Sequence, residues 1–154
     1  YQQLVAASCK DDTATFQVIF LAGRNAKLRN DIDRLCAQAP FKTVVLGHTT
    51  QIDRLMKASD VMVSKLGGLT TFEALACHLP ILADAVTPPM PQEVSNGWFL
   101  EQTGCGILFK KPEAIFSVIQ SLQCDNGTLD TMRQAAEKYG NSKAADWIAR
   151  DILS

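Results

Sequence analysis

The sequence predicts an α/β domain of the Rossmann-like type, in which a parallel sheet is flanked by helices. Five short apolar segments recur along the 154 residues, and most of the segments between them repeat apolar residues at helical spacing. Glycine, proline or polar residues bound these segments, as is typical of strand and helix ends. Because strands that alternate with helices form parallel βαβ units, the pattern favours a parallel sheet.

The first helices and the strands follow one another in regular order. Residues 24–39 have helical periodicity and end before Pro40, the next helix is centred on residues 52–56, and a third covers residues 69–78 and ends before Pro80. Such helices supply the crossovers that parallel strands need. The five predicted strands are residues 16–22, 43–46, 61–63, 81–83 and 107–109.

Three further helices are predicted after the last strand. Pro112 is expected at the first position of a helix with an apolar stripe, formed by Ile115, Val118, Ile119 and Leu122. Residues 124–127 are typical of a turn before a second amphipathic helix, whose apolar face contains Leu129, Met132, Ala136 and Tyr139. Residues 140–141 separate that helix from the last one, which carries Ala144, Trp147 and Ile148.

Composition and charge exclude several classes of protein. The chain is 47% apolar and has 15 basic against 16 acidic residues, so it lacks the basic surface typical of nucleic-acid binding. No apolar stretch approaches the ~20 residues that span a bilayer. Five scattered cysteines without a C-x-x-C pair predict reduced thiols in a cytoplasmic compartment. Because Tyr1 opens like the middle of a helix, we expect residues 1–154 to form a single domain that is a piece of a longer protein.

A glycine pair marks the first candidate site. Gly67 and Gly68 follow the third predicted strand and precede a helix, which is where ligands of parallel sheets bind. Glycine lets the backbone approach a ligand closely, and the N–H groups of Leu69, Thr70 and Thr71 are expected to face an anion such as a diphosphate. The P-loop and dinucleotide motifs are absent from this loop. An ordinary turn remains the alternative interpretation.

Polar side chains near this loop suit a ligand rich in hydroxyl groups. Glu73 is placed to accept two hydroxyl hydrogen bonds, as an acidic residue grips a ribose, or only complements the helix dipole. In the next loop, Gln92, Glu93 and Asn96 offer donors and acceptors for a hexose, or form a polar helix start. Right-handed crossovers bring both loops to one sheet edge, so together they predict a nucleotide-sugar site.

The residues of both loops resemble a known family. Three segments carry the resemblance, namely residues 64–76 (SKLGGLTTFEALA), 79–81 (LPI) and 92–96 (QEVSN). They are similar to the donor-binding half of GT-B glycosyltransferases, and the chain most resembles the group of monogalactosyldiacylglycerol synthases, processive diacylglycerol glucosyltransferases and the peptidoglycan GlcNAc transferase. The resemblance covers residues 16–153 and implies the C-terminal half of a GT-B fold.

The resemblance also implies roles for the residues that would hold the nucleotide. The loop of residues 67–71 would bind the diphosphate of UDP, and Glu73 would take the ribose hydroxyls. The backbone beside Gly47 and His48 would lie at the edge of the uracil, although His48 also fits an ordinary exposed loop position.

The remaining site residues would hold the sugar and line the cleft. Gln92 and Glu93 would hold the donor hexose, with Asn96 supporting their loop. The neighbouring wall of the cleft would be formed by Gly23, Arg24 and Asn25.

The activity implied is that of an inverting transferase that moves a hexose from a UDP-sugar to a diacylglycerol-type lipid at the cytoplasmic face of the membrane. Helix N–H groups would stabilise the departing UDP, so neither a metal nor another cofactor is expected. In the family the catalytic base comes from an N-terminal domain, and residues 1–10 resemble only the helix of the first βα unit. We therefore expect this chain alone to bind donor, to contain no catalytic residue and to be inactive.

Three alternatives remain open. The chain is also similar to UDP-GlcNAc transferase subunits that act on a lipid-linked acceptor with a membrane-anchored partner, and to halves of UDP-sugar 2-epimerases. A nucleotide-binding module that has lost catalysis is the third. The sequence does not choose between galactose, glucose and N-acetylglucosamine, and it does not identify the acceptor.

Overall fold

Strands and helices alternate in the computed structural model, which describes residues 16–153. Every strand pair in that part of the chain is parallel, which confirms the α/β fold class. The strands are hydrogen-bonded as two sheets, with the orders β1-β2 and β3-β4-β5. They are β1 (Gln17–Leu21), β2 (Lys42–Leu46), β3 (Met62–Lys65), β4 (Ile81–Asp84) and β5 (Gly106–Phe109). The prediction for residues 1–10 lies outside the described residues.

Seven α-helices occur within residues 16–153. A short 3₁₀ turn, Pro91–Glu93, leads directly into the fourth of them. None of these helices is long and apolar enough to cross a bilayer. The helices are α1 (Ala26–Cys36), α2 (Ile52–Lys57), α3 (Gly68–Ala76), α4 (Val94–Thr103), α5 (Ala114–Cys124), α6 (Asn126–Tyr139) and α7 (Ala144–Leu153).

Two predicted helix starts are wrong. Pro112 lies two residues before α5 and not at its first position, and its carbonyl accepts a hydrogen bond from the N–H of Ile115 at 3.4 Å. The turn predicted over residues 124–127 is shorter, because the side chain of Asp125 caps α6 directly by accepting from the N–H groups of Gly127 and Thr128. The cap satisfies donors that the first turn of a helix leaves free.

The described chain divides into two compact units. One contains residues 16–52 with 112–123, and the other contains residues 53–111 with 124–153. In the first unit, Phe20, Ile32 and Phe41 are buried. The ring of Phe16 lies 4.7 Å from that of Phe41 and 6.0 Å from that of Phe116. These aromatic contacts form the core beside β1 and β2.

The second unit is built around β4. Ile81, Leu82 and Ala83 are fully buried, as expected for a strand paired on both edges. A Cβ added to Gly106 would lie 2.6 Å from the carbonyl oxygen of Ile81, so β5 can approach this closely only with glycine. The strand β4, which precedes the loop that leads to Gln92 and Glu93, is therefore held rigidly.

The helix α3 ends in a left-handed turn at His78, which has a φ of 58°. The N–H of His78 donates to the carbonyl of Leu75 at 2.9 Å, and the N–H of Leu79 donates to that of Ala74 at 3.0 Å. This pair of bonds is the Schellman motif, in which the left-handed residue is usually glycine. A histidine there has the steric strain that a side chain meets at positive φ.

Replacing His78 by glycine is expected to stabilise the protein by about 0.5–1 kcal/mol, because the strain disappears and the exposed imidazole has no packing to lose. Urea unfolding measures the change. Cys77, with a φ of −95°, is the control, since glycine there only adds chain entropy and should destabilise. A destabilised His78→Gly variant would contradict the strain argument.

Candidate functional site

The glycine turn between β3 and α3 presents free N–H groups. Gly67 is the residue that caps α3, and its carbonyl accepts the first helical bond, from the N–H of Thr71 at 3.0 Å. Helix geometry leaves the N–H groups of Gly68, Leu69 and Thr70 without an acceptor in the helix, and the helix dipole makes this end positive. The expectation that the N–H of Thr71 faces an anion is therefore wrong, because the helix uses this group, whereas the N–H of Gly68 is not used by the helix.

Thr71 contributes a different feature to this turn. Its side chain is only 1% exposed, and its hydroxyl has no hydrogen-bond partner among the described residues. Buried polar groups are nearly always paired, so an unpaired one needs an explanation. The free N–H groups of the turn directly precede this residue in the chain.

Two side chains that follow the next loop, Glu93 at the end of the 3₁₀ turn and Asn96 in the first turn of α4, flank the glycine turn. A Cβ at Gly67 would lie 3.8 Å from Oε1 of Glu93, and a Cβ at Gly68 would lie 3.7 Å from Nδ2 of Asn96. Asn96 also donates a hydrogen bond from Nδ2 to the carbonyl oxygen of Leu66 at 2.7 Å. The structure thus brings together the two loops that right-handed crossovers place at one sheet edge.

Asp84 organises the start of the second loop. Its carboxylate accepts hydrogen bonds from the N–H of Val86 at 2.8 Å, the N–H of Thr87 at 3.2 Å and the hydroxyl of Thr87 at 2.9 Å. Burial raises the pKa of Asp84, but these hydrogen bonds and the positive charge of Lys65 outweigh burial, so the pKa lies below its ordinary 3.8. Sequence reasoning assigned no role to Asp84 or Thr87.

A cleft of about 220 Å³ lies between the end of β3 and this loop. Glu93 lines it and also accepts a hydrogen bond from the N–H of Met90 on Oε2, at 3.3 Å. Gln92 is exposed and donates to the sulfur of Met90 at 3.6 Å. The lining residues are Lys65, Leu66, Asp84, Thr87, Pro88, Pro89, Met90 and Glu93.

Glu73 projects from α3 beyond the glycine turn. It is exposed, and no hydrogen bond or ion pair of its side chain is present within residues 16–153. At 1.5 Å rise per residue, Glu73 lies about one and a half turns from the start of α3. Its carboxylate is therefore free to accept hydrogen bonds from a ligand.

The predicted site residues of the first unit follow β1 and β2. A Cβ at Gly47 would lie 3.5 Å from the carbonyl oxygen of Gly23 and 3.7 Å from Nη1 of Arg29, so the turns after the two strands adjoin. Asn25 caps α1, since its side chain accepts from the N–H of Leu28 at 2.9 Å. The side chains of Arg24 and His48 are exposed. Arg29, to which the sequence assigned no role, thus lies beside the turn at Gly47.

A parallel α/β fold with a glycine turn at the start of a helix is the arrangement that the resemblance to the C-terminal domain of GT-B glycosyltransferases implied. Two solved structures share this fold at 14% identity. MurG of Acinetobacter baumannii has a TM-score of 0.78 over 99% of this chain and 46% of that one. WaaG, a glycosyltransferase involved in lipopolysaccharide biosynthesis, has a TM-score of 0.67 over 92% of this chain and 39% of that one.

The chain belongs to the family of the glycosyltransferase family 28 C-terminal domain, which matches residues 1–150. It is 33% identical over 145 residues to the processive diacylglycerol beta-glucosyltransferase of Bacillus subtilis, covering 94% of this chain and 37% of the relative. The enzyme of the same name in Bacillus licheniformis is 31% identical over 138 residues, covering 89% and 35%. The resemblance noted in the sequence is thus confirmed, and the chain spans little more than a third of these relatives.

Proposed function

We propose that this chain binds the UDP-sugar donor of an inverting glycosyltransferase that transfers a hexose to a diacylglycerol-type lipid. The observation that carries the proposal is the set of free N–H groups at Gly68, Leu69 and Thr70, flanked by Glu93 of the 3₁₀ turn and Asn96 of α4. The relatives, whose names state a diacylglycerol glucosyltransferase, support the class of acceptor.

The glycine turn suits a diphosphate. N–H groups at a helix start bind anions, and a turn without Cβ atoms at Gly67 and Gly68 leaves the backbone open to close approach. During transfer, an acceptor oxygen would bond to the anomeric carbon while the bond from that carbon to UDP breaks, and the N–H groups would stabilise the charge on UDP.

The cleft beside the turn suits the hexose. Its volume of about 220 Å³ is below the ~300 Å³ of pockets that enclose a whole drug-sized ligand, so it fits one part of a nucleotide sugar. The carboxylate of Glu93, which lines the cleft, can accept hydrogen bonds from hydroxyl groups. Gln92 does not line the cleft, but its exposed amide in the neighbouring turn can both donate to and accept from a sugar hydroxyl. Asn96 supports this loop through its bond to Leu66.

The nucleoside is assigned to the remaining residues. In the second unit, Glu73 would accept the ribose hydroxyls. For the first unit, the family resemblance alone supports the roles: the backbone at Gly47 and His48 for the uracil, and Gly23, Arg24 and Asn25 for the cleft wall. The proposal needs no metal or other cofactor, because the N–H groups supply the positive charge. The catalytic base would come from outside this chain, so the chain alone would be inactive. In the whole protein the reaction would occur at the cytoplasmic membrane face.

Calorimetric titration of the 154-residue chain with UDP, ADP, UDP-glucose, UDP-galactose and UDP-GlcNAc tests the proposal. We expect UDP to bind and ADP to bind at least tenfold more weakly. The order of the three UDP-sugars then identifies the donor, and a preference for UDP-GlcNAc would favour a lipid-linked GlcNAc transferase instead. No binding of any uridine ligand, or equal binding of ADP and UDP, would contradict the proposal.

Replacing Gln92 by alanine is expected to weaken binding of the UDP-hexose about fivefold and to leave UDP binding unchanged, since a lost hydrogen bond contributes about 1 kcal/mol. The side chain is exposed, so the fold should be unaffected. The same titrations measure both affinities. Ser95→Ala, an exposed polar change one turn away, is the control, and equal losses for UDP and UDP-hexose would exclude a sugar-specific role for Gln92.

A further inference from the structure

The second unit uses one hydrogen-bond motif twice. Asp125 accepts from the N–H of Gly127 and from the N–H and hydroxyl of Thr128, and the helix α6 follows. Asp84 accepts from the N–H of Val86 and from the N–H and hydroxyl of Thr87 in the same pattern. No helix follows at once after Asp84, since residues 85–90 are irregular.

The prolines explain why the second copy of the motif does not start a helix. Pro88 comes directly after Thr87, and a residue before proline is disfavoured in the helical region. Pro88 and Pro89 also lack the N–H groups that a helix would use. The motif at Asp84 therefore fixes the direction of an extended segment.

That segment is attached to the protein at three points. Asp84 holds its start through Thr87, Glu93 accepts from the N–H of Met90 near its end, and Asn96 is bonded to Leu66 beyond it. Asp84 itself ends the buried strand β4 and pairs in register with Lys65 of β3. The rigid strand β4 thus fixes, through Asp84, the position of the residues that form one wall of the cleft.

We propose that Asp84, acting through Thr87, is a positioning residue that sets the shape of the cleft for the hexosyl part of the donor. This inference rests on the proposed function, because it assigns the cleft to the sugar. The three bonds to Asp84 hold Thr87, Pro88 and Pro89 opposite Lys65 and Leu66. Without them the wall loses its fixed distance to β3, whereas the glycine turn that would hold the diphosphate keeps its own helix geometry.

Four variants of the 154-residue chain test the inference by titration with UDP and with the UDP-hexose that the parent binds best. Asp84→Asn should weaken the UDP-hexose about tenfold and UDP less than twofold, since hydrogen bonds to charged groups are the strong ones. Thr87→Val keeps the carboxylate and should weaken the UDP-hexose about threefold. Thr87→Ser restores the hydroxyl and the affinity. Asp125→Asn, the matched control, makes the same change in the matching motif at α6 and should change neither affinity.

Amide NMR spectra without ligand provide a second measurement. Asp84→Asn and Thr87→Val should shift the resonances of Met90 and Glu93, whereas Asp125→Asn should not. The contrary outcome is that the parent binds UDP and the UDP-hexose while Asp84→Asn and Thr87→Val change neither the ratio of the two affinities nor these resonances. That result would overturn the positioning role of Asp84 and leave the proposed function standing. If the parent binds no uridine ligand, the proposed function fails, and the sugar selectivity inferred for Asp84 fails with it.

Discussion

Replacing Gly140 by alanine is expected to destabilise the protein by about 3 kcal/mol, the upper end for overpacking a close contact. A Cβ at this position would overlap the carbonyl carbon and oxygen of Leu75. These are backbone atoms, so they cannot move aside as a side chain can. The φ of −76° is acceptable for alanine, so the effect is steric and not conformational. Urea unfolding with an unchanged m-value measures it.

Gly68→Ala is the control for this variant. Its added Cβ would make only an ordinary contact of 3.7 Å with Asn96, and alanine is favoured over glycine in a helix, so this variant should be at least as stable as the parent. A Gly140→Ala variant as stable as the parent would show that α3 and the end of α6 separate easily, which contradicts close packing of Gly140 on Leu75.

Replacing Glu73 by alanine is expected to weaken UDP binding about thirtyfold, because hydrogen bonds to a charged group contribute roughly 1.5–3 kcal/mol. The carboxylate is exposed and makes no bond within the described residues, so thermal unfolding should be unchanged. Titration with UDP gives the affinity. The proposed ribose contact requires this loss.

Glu101→Ala is the matched control, since it removes another exposed glutamate of the same unit that has no assigned role. Glu73→Gln keeps two hydrogen-bonding atoms without the charge and should lose less affinity than Glu73→Ala. Unchanged affinity in Glu73→Ala would remove Glu73 from the site and leave it with only the helix-dipole interaction.

Sequence patterns predicted the strands well because each strand is a short apolar run with clear polar or glycine ends. The division into two sheets was not predictable, since apolar runs do not say which neighbour each strand bonds. The end of α3 was placed two residues late, at His78 and not Ala76, because the left-handed turn there uses histidine and so lacks its usual glycine signal.

Within the candidate site, the glycine pair was recognisable because two consecutive glycines between a predicted strand and a predicted helix are an unusual combination of residues. The assignment of individual N–H groups failed at Thr71, since the capping residue must be known to within one position and helix ends are seldom predictable that well. Asp84 and Thr87 were overlooked because their mutual hydrogen bonds depend on the local backbone conformation, which the residue types alone do not fix.

The attachment of residues 84–96 has a consequence for how this domain can diverge. Pro88 and Pro91 lie on the surface between the attachment points, while the strand beneath them is buried. Substitutions in this stretch change the outline of the cleft without removing apolar contacts from the core, so they are nearly neutral for stability. Under the proposed function, selection for a new donor sugar would therefore act on a few surface positions while the same scaffold is inherited intact.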